Sequence, residues 1–446
     1  MFKKILIANR GEIALRVIRA CKEMGISTVA IYSKVDEDSL HVKLADESVC
    51  VGPAQAKLSY LNVASIMSAA ELTGADAIHP GYGFLAENSD FAQVCEQCNV
   101  VFIGPKPDQI AKMGDKATAR RIAREAGVPM LPGTGILKDA EEAARKAEEI
   151  GYPVMLKATA GGGGRGIQVI YHQAQLKTTF ERVRAEAAAA FGLGDCYMEK
   201  FCEHPRHVEI QVLCDSHGNY LHLGERDCTV QRRHQKLIEE SPSPVVDEEL
   251  RKKMGEAAIQ LCKAVGYWNV GTVEFLVDES RNFYFMEMNT RIQVEHPVTE
   301  MVTGIDLIQE QIRIAVGDKL KLTQDQVKFN GHAIECRVNA EDPERMAPSP
   351  GLITAYHPPG GFGVRVDSFV YQQYKVLPFY DSMIGKVICH AETREKAIAK
   401  MASALSEFVI AGIHTNIAFQ RKIILHPRFK TAEYDTHFLE EFLPKF

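Results

Sequence analysis

Long apolar runs are missing from this sequence of 446 residues: none approaches the ~18 residues that a membrane-spanning helix needs. The opening Lys3-Lys4 is followed only by Ile5-Leu6-Ile7-Ala8, too short an apolar stretch for a secretory signal, and we expect a cytoplasmic protein. Positive charge is in deficit. Lys and Arg number 52 against 58 Asp and Glu, a formal charge of -6, which argues against a protein that grips a nucleic-acid backbone. A disulfide framework is absent too: the 11 cysteines are scattered and odd in number, as reduced thiols in a cytosolic chain are. Cys95-Glu96-Gln97-Cys98 is a lone CxxC, and a zinc site would need a second pair. The single Trp268 and the 14 methionines read as core packing. Two nucleotide signatures also fail. The first strand-to-helix turn, Asn9-Arg10-Gly11-Glu12, has one glycine where a dinucleotide fingerprint has three, and no Lys-Ser/Thr follows the glycine run at 161–166, so there is no Walker A loop. Internal repeats, low-complexity runs and disordered linkers are absent as well.

The rest is ordinary for a globular chain, 46% hydrophobic and 25% charged, long enough for about two to four domains. Residues 1–110 alternate strand and helix: strands at 4–8, 28–32, 77–79 and 100–103, helical spacing at 12–24 and 62–73. That rhythm predicts an open, mostly parallel sheet with helices on its faces. His79-Pro80-Gly81-Tyr82-Gly83 is a turn-rich loop at a strand end, where such folds carry function. Helices are expected at 116–126, 139–150 and 181–190. Strands are expected at 152–158, 167–170, 197–201, 207–212, 220–224 and 271–277. Gln231–Lys236 reads as a basic loop, and a helix at 248–265 is capped by Asp247 and stopped by Gly266. Residues 331–446 form a mixed tail, with a strand at 332–339, another within 381–390 and an amphipathic helix at 394–408.

Two stretches carry chemistry. Gly161-Gly162-Gly163-Gly164-Arg165-Gly166 lies between two strands, so its G-x-G-x-x-G spacing lacks the following helix of a dinucleotide site. A glycine hairpin in that position can close its amides over phosphate oxygens, because no Cβ blocks the approach. The second stretch is Phe283–Glu295. At period 2 it puts Glu287, Asn289, Arg291, Gln293 and Glu295 on one face, against the plain alternative of a half-exposed strand. These are ligand types for a hard cation and for an oxyanion. Glu274, on the strand before, joins Glu287 and Asn289 as oxygen donors. Two carboxylates and an amide suit two magnesium ions, with nucleotide phosphates completing the shell. Lys116, Lys157 and the glycine flap would meet the phosphates. Lys236, Arg291 and Arg337 exceed what a triphosphate with two magnesium ions requires and point to a second, small anionic substrate, with Glu295 as candidate base. Fully extended, Glu287 to Glu295 would span roughly 26 Å at about 3.3 Å per residue, so the strand is expected to end near Asn289 and the chain to bend.

Five stretches together give a resemblance over essentially the whole chain: Ala8-Asn9-Arg10-Gly11-Glu12-Ile13-Ala14, His79–Leu85, Tyr152–Val169, Arg226–Glu240 and Phe285–Pro297. The sequence resembles biotin carboxylases, the ATP-grasp subunits of biotin-dependent carboxylases. Arg291-Ile292-Gln293-Val294-Glu295-His296-Pro297 points to that branch rather than to other ATP-grasp ligases, such as the carbamoyl-phosphate type. The resemblance implies an α/β and α+β ATP-grasp fold in three parts. These are an N-terminal Rossmann-like domain (1–114), an ATP-grasp domain (115–330) with a mobile glycine-flap lid at about 131–203, and a C-terminal mixed α+β domain (331–446). It implies ATP as substrate, two Mg2+ ions with Mn2+ as a substitute, and biotin as the carrier-bound acceptor. Glu274, Glu287 and Asn289 would hold the metals. Lys116, Lys157, Gly163, Gly164, His207, Gln231, His234, Glu274, Leu276 and Glu287 would contact ATP, with Glu199, Lys200 and Cys202 at the adenine hinge. Cys202 stands where many relatives carry an aliphatic residue, and Ala160 shortens the glycine run. Lys236, Arg291, Gln293 and Val294 would bind bicarbonate, Glu295 would deprotonate it, and Arg337 would stabilise carboxyphosphate and the biotin enolate. Arg10, Phe362 and Arg365 fall at or near positions of dimer contact. No Met-Lys-Met biotin-attachment motif is present, so the expected partners are a separate biotin carboxyl carrier protein and carboxyltransferase subunits, with a homodimer of this chain and no nucleic acid. Acetyl-CoA carboxylation in fatty acid synthesis is the expected pathway step, with pyruvate or another acyl-CoA carboxylase as the alternative.

Overall fold

The computed structural model describes residues 1–158, 166–191, 194–233, 235–345 and 347–442. Its first element is the apolar strand β1 (Lys4–Ile7), whose Ile5, Leu6 and Ile7 are completely buried. Burial of such side chains stabilises by about 1.5–3 kcal/mol each. With β2 (Ser27–Ser33), β3 (Glu47–Gly52), β4 (Ala77–His79) and β5 (Val101–Phe102) it forms a parallel sheet of order β3-β2-β1-β4-β5. Alternation along β1 feeds two cores. Ile5 and Ile7 pack with Ile13, Val17 and Ile308, while Leu6 and Ala8 pack with Ile66, Phe91 and Ile110. The expected parallel sheet is therefore present, with one strand more than the pattern predicts. Edge strand β3 exposes Glu47, Ser48 and Cys50, so its apolar face is reduced to Val49 and Val51.

The chain divides into two compact units. One comprises Met1–Val128, Arg206–Leu276 and Met286–Phe446, and the other Pro129–Pro205 and Val277–Phe285. The smaller unit holds a three-stranded antiparallel sheet, β6 (Val154–Ala158), β7 (Ile167–Ile170) and β8 (Cys196–Lys200), in the order β7-β6-β8. The helices Ala140–Ile150 and Gln173–Phe191 cover it through Ala143, Ala147, Leu176, Phe180 and Val183. The second helix starts eight residues earlier than the spacing predicts.

The larger unit is built on an eight-stranded sheet. Its strands are β9 (Arg206–Cys214), β10 (Tyr220–Arg232), β11 (Gln235–Ser241), β12 (Asn269–Val277), β13 (Phe283–Asn289), β14 (His332–Asn339), β15 (Val364–Ser368) and β16 (Met383–Ala391). The order is β13-β12-β9-β10-β11-β14-β16-β15. Strands from both sides of residue 330 thus share one sheet, with Glu239 opposite Glu335 and Arg337 opposite Lys386. Asp215 closes the β9–β10 hairpin by accepting from the amides of His217 and Asn219. Within the expected basic loop at 231–236, the described residues instead pair as strands, Gln231 with Lys236 and Arg232 with Gln235. Gln231, Arg232 and Lys236 bond to other side chains, which suits them to strands despite their polarity, while Arg233 and Gln235 are exposed. Asp247 caps the helix Glu248–Val265 by accepting from the Leu250 amide, and Gly266 ends it in the left-handed conformation. Strand β13 stops at Asn289, and residues 290–295 bend before the helix His296–Thr303, as the length of the segment requires. Among the described residues no helix is long and apolar enough to cross a membrane.

Candidate functional site

Strand β9 is buried along its whole length, polar positions included. Its alternating His207, Glu209 and Gln211 therefore face other side chains, not solvent. Their main partner is Arg226 on β10, itself completely buried. Its Nε donates to Glu209 Oε1 at 2.6 Å, Nη1 to Gln211 Oε1 at 2.6 Å and Thr299 Oγ1 at 3.0 Å, and Nη2 to Gln293 Oε1 at 2.6 Å and Thr272 Oγ1 at 3.2 Å. Satisfying all its donors is what lets a guanidinium sit there.

Lys236, near the start of β11, reaches three carboxylates: Glu209 Oε2 at 2.6 Å, Glu274 Oε1 at 2.9 Å and Glu295 Oε1 at 2.7 Å. Arg337, on β14, donates through Nη2 to Glu295 Oε2 at 2.9 Å and through Nε to Glu239 Oε1 at 2.6 Å. Each oxygen of Glu295 thus meets a different cation, one from each of two sheet strands. Burial alone would raise the Glu295 carboxyl, but Lys236, Arg337 and Arg226 hold it well below the usual carboxylate range. The same balance raises Lys236, where burial is outweighed by Glu209, Glu274 and Glu295. Glu239 behaves differently: burial pushes its carboxyl up to about 7 despite Arg337.

The oxygen-donor edge lies on neighbouring strands. Glu274 on β12 accepts from Asn289 Nδ2 at 2.8 Å and Gln293 Nε2 at 2.9 Å, and its other oxygen is 3.0 Å from His207 Nε2. Gln231 Nε2 lies 2.7 Å from His207 Nδ1. Glu287 on β13 is exposed and has no hydrogen bond or ion pair among the described residues. Partial loss of hydration first, and the Glu274 charge second, raise its carboxyl above the ordinary value. Lys116, exposed at the first position of the helix Lys116–Glu125, contributes positive charge toward it. Two carboxylates and one carboxamide on adjacent strands, one carboxylate still unpaired, fit a hard divalent cation.

Not every predicted residue joins this centre. Arg291 donates from Nε to Glu87 Oε2 at 3.0 Å and from Nη2 to Asn289 Oδ1 at 2.9 Å, so the cations on Glu295 are Lys236 and Arg337, not Arg291. Val294 presents its main-chain carbonyl, which accepts from Lys386. Arg10 is engaged within the chain: it forms two bonds to Asp36, at 2.7 and 2.8 Å, and lies over the Tyr380 ring. Phe362 is 95% exposed, while Arg365 pairs with Asp367 and Glu300. In the smaller unit Lys157 Nζ lies 2.5 Å from Glu199 Oε2, and Lys200 Nζ donates to the carbonyls of Gly151 and Tyr152. Cys202 lines a cavity of about 260 Å³ with Leu131, Phe201 and Tyr284. Leu276 is half-buried on β12. Gly163, Gly164 and His234 lie outside the described residues.

Sequence reasoning passed over Glu209, Arg226, Glu239, Glu87 and Lys386. A signal existed for two of them: Glu209 alternates with His207 and Gln211, and Lys386 stands alone in the apolar run Met383–Ala391.

Three family models match successive stretches of the chain. Residues 1–110 match the family model "Biotin carboxylase, N-terminal domain", 115–323 "Carbamoyl-phosphate synthase L chain, ATP binding domain", and 335–441 "Biotin carboxylase C-terminal domain". A biotin carboxylase of Bacillus subtilis is 59% identical over 445 residues, 99% of each chain. The structure of Campylobacter jejuni biotin carboxylase with β,γ-ATP matches with a TM-score of 0.93 and 52% identity, covering 99% of each chain. The biotin carboxylase domain dimer of the Hydrogenobacter thermophilus 2-oxoglutarate carboxylase, solved with MgADP, ADP and bicarbonate, matches with a TM-score of 0.91 and 51% identity. That match covers 99% of this chain and 98% of the other.

Proposed function

This chain belongs to the biotin carboxylase family of ATP-grasp ligases, and we propose that it carboxylates biotin on a separate carrier protein, with bicarbonate as carbon source and ATP as energy source. Bicarbonate attacks the γ-phosphoryl group, ADP leaves, and the resulting carboxyphosphate delivers its carboxyl group to N1′ of biotin, releasing phosphate. The observation that carries this reading is Glu295 held between Lys236 and Arg337. A carboxylate kept so far below its usual range is a weak base. Arrival of a bicarbonate anion beside the same two cations offsets their charge and raises Glu295, so the substrate activates its own base. Arg337 is then in place for the oxygen that gains charge as the ureido nitrogen reacts.

Magnesium would be held by Glu274, Glu287 and Asn289, where it would neutralise phosphate oxygens of ATP. Lys116, Lys157, His207 and Gln231 would meet the nucleotide, with Glu199, Lys200 and Cys202 at the adenine end. In this reading residues 1–114, 115–330 and 331–446 are the functional divisions, the last supplying Arg337. The acceptor is proposed to be acetyl-CoA, through carboxyltransferase subunits in the cytoplasm, with the chain acting as a homodimer. The 2-oxoglutarate carboxylase relative supports a second reading, in which the carboxyl group goes to a 2-oxoacid.

The test combines ATP, magnesium and labelled bicarbonate with biotin or a biotinylated carrier. Biotin-dependent label transfer is expected, without a requirement for ammonia. Folded protein that binds ATP yet transfers no label would sink the reading. Chasing the labelled carrier with acetyl-CoA or a 2-oxoacid, each with its carboxyltransferase, separates the two acceptors.

A further inference from the structure

Lys386 is the one charged residue in the run Met383–Ala391, and its side chain is completely buried. Its ammonium donates to the main-chain carbonyl of Val294 and lies 3.3 Å from Glu12 Oε1. Glu12 sits in the first turn of the helix Gly11–Glu23, and the same Oε1 accepts the hydroxyl proton of Tyr82. Tyr82 follows Gly81, whose φ of +63° and whose Cβ-free approach to the Asn9 carboxamide shape the turn. Asn9 Nδ2 fastens that turn by donating to the carbonyls of Pro80 and Tyr82. Four segments far apart in sequence, around 12, 82, 294 and 386, therefore converge on one buried ion pair. Burial by itself would lower the Lys386 ammonium, but Glu12, Glu335 and Asp367 hold it above the ordinary lysine value, so it stays charged.

The carbonyl that Lys386 grips belongs to the peptide unit joining Val294 to Glu295. A peptide unit is planar, so fixing its oxygen fixes the plane from which the Glu295 Cα emerges. Residues 290–295 form neither strand nor helix, and the Val294–Glu295 peptide is the middle of a turn closed by one long backbone bond, His296 N to Gln293 O at 3.3 Å, so the Lys386 bond to the Val294 oxygen is the direct hold on that plane.

We propose that Lys386 is a positioning residue for the carboxylation reaction: with Glu12 as counter-charge, it holds the Val294–Glu295 peptide so that the Glu295 carboxylate meets Lys236 and Arg337. Lys386 touches neither substrate nor reacting atom and acts through Glu295. This inference rests on the biotin carboxylase reading of the site.

The test compares wild-type protein with Lys386→Met, which keeps the length of the side chain and removes its donors. Displacement of a catalytic group by about 1 Å costs up to about a hundredfold. We expect kcat/KM for bicarbonate to fall about 10–100-fold while ATP affinity, measured by direct binding, stays at the wild-type value. Should that variant not fold, Lys386→Met combined with Glu12→Gln removes both partners of the ion pair and carries the same measurement. A wild-type kcat/KM for bicarbonate in either folded variant would overturn the proposal. So would an equal fall in ATP affinity, the mark of a general structural loss. Wild-type protein without bicarbonate-dependent carboxylation is a separate outcome that removes the functional reading itself.

Discussion

Glu295 and Glu287 stand a few residues apart on one segment, yet they are set in opposite ways. Both oxygens of Glu295 are bonded to cations, and those cations are bonded in turn to Glu209, Glu274 and Glu239. Glu287 is exposed and has no partner among the described residues. The first arrangement is fixed before any substrate arrives, so a base at Glu295 and its cations would need no rearrangement in the proposed reaction. The second keeps a carboxylate available for a ligand that comes with the nucleotide. In the proposed reading the contrast separates a preorganised half, which would handle the small anion, from a receptive half, which would handle the metal and phosphates.

The sharpest test of the fixed half is Glu295→Gln. It preserves shape and removes the base, and turnover should fall about 10²–10⁴-fold. A near-normal rate in a steady-state assay would show that Glu295 is not the base and that the arrangement around it is structural only. Next in size is Lys236→Met, which leaves three carboxylates without their shared cation. Breaking a buried pair in this way typically costs about 3–5 kcal/mol. Chemical denaturation should show a loss in that range, and a loss well under 1 kcal/mol would mean that the carboxylates find other compensation.

A third test is the pH dependence of Glu239. Its folded value, about 7, lies above the ordinary 4.5, so the folded protein binds the extra proton between those values and stability falls as pH rises through that window. Glu239→Gln should flatten the slope by at most about 1.4 kcal/mol per pH unit, read from denaturation curves across the window. An unchanged slope would place the proton elsewhere. The smallest stability effect belongs to the receptive half. Glu287→Gln should change folding stability by no more than about 0.5 kcal/mol, while the magnesium needed for half-maximal activity rises by about 10–100-fold, the range seen even for outer-shell partners of a metal. If Glu287→Gln proved as destabilising as Lys236→Met, the two halves would not differ as described.

Much of the site was legible along the chain. The alternation of Glu287 and Asn289, the run Arg291–Glu295, and the isolated Lys236 and Arg337 are residue types whose chemistry is visible without coordinates. The length of the segment was enough to require the bend after Asn289. Less legible were residues whose role depends on what lies across the sheet. Strand β3 hid because an edge strand needs only a short apolar stripe, here Val49 and Val51, to pack. The strand pairing within 231–236 looked like a loop because polar strand residues read as solvent-facing when their partners are unknown. Glu209 and Arg226 have side chains bonded to each other from adjacent strands, seventeen residues apart in sequence.

The sequence by itself determined the alternating strand–helix order, the oxygen donors on neighbouring strands, and the presence of more cations than a nucleotide requires. These follow from local periodicity and residue chemistry, which act over a few residues. Only the tertiary structure decided which cation meets which carboxylate. Arg291, beside Glu295 in sequence, turns to Glu87, while Lys236, Arg337 and Lys386 arrive from strands that sheet pairing alone brings together. The physical reason is that a buried charge must be matched within hydrogen-bond distance, and which partner stands at that distance is set by strand order and register.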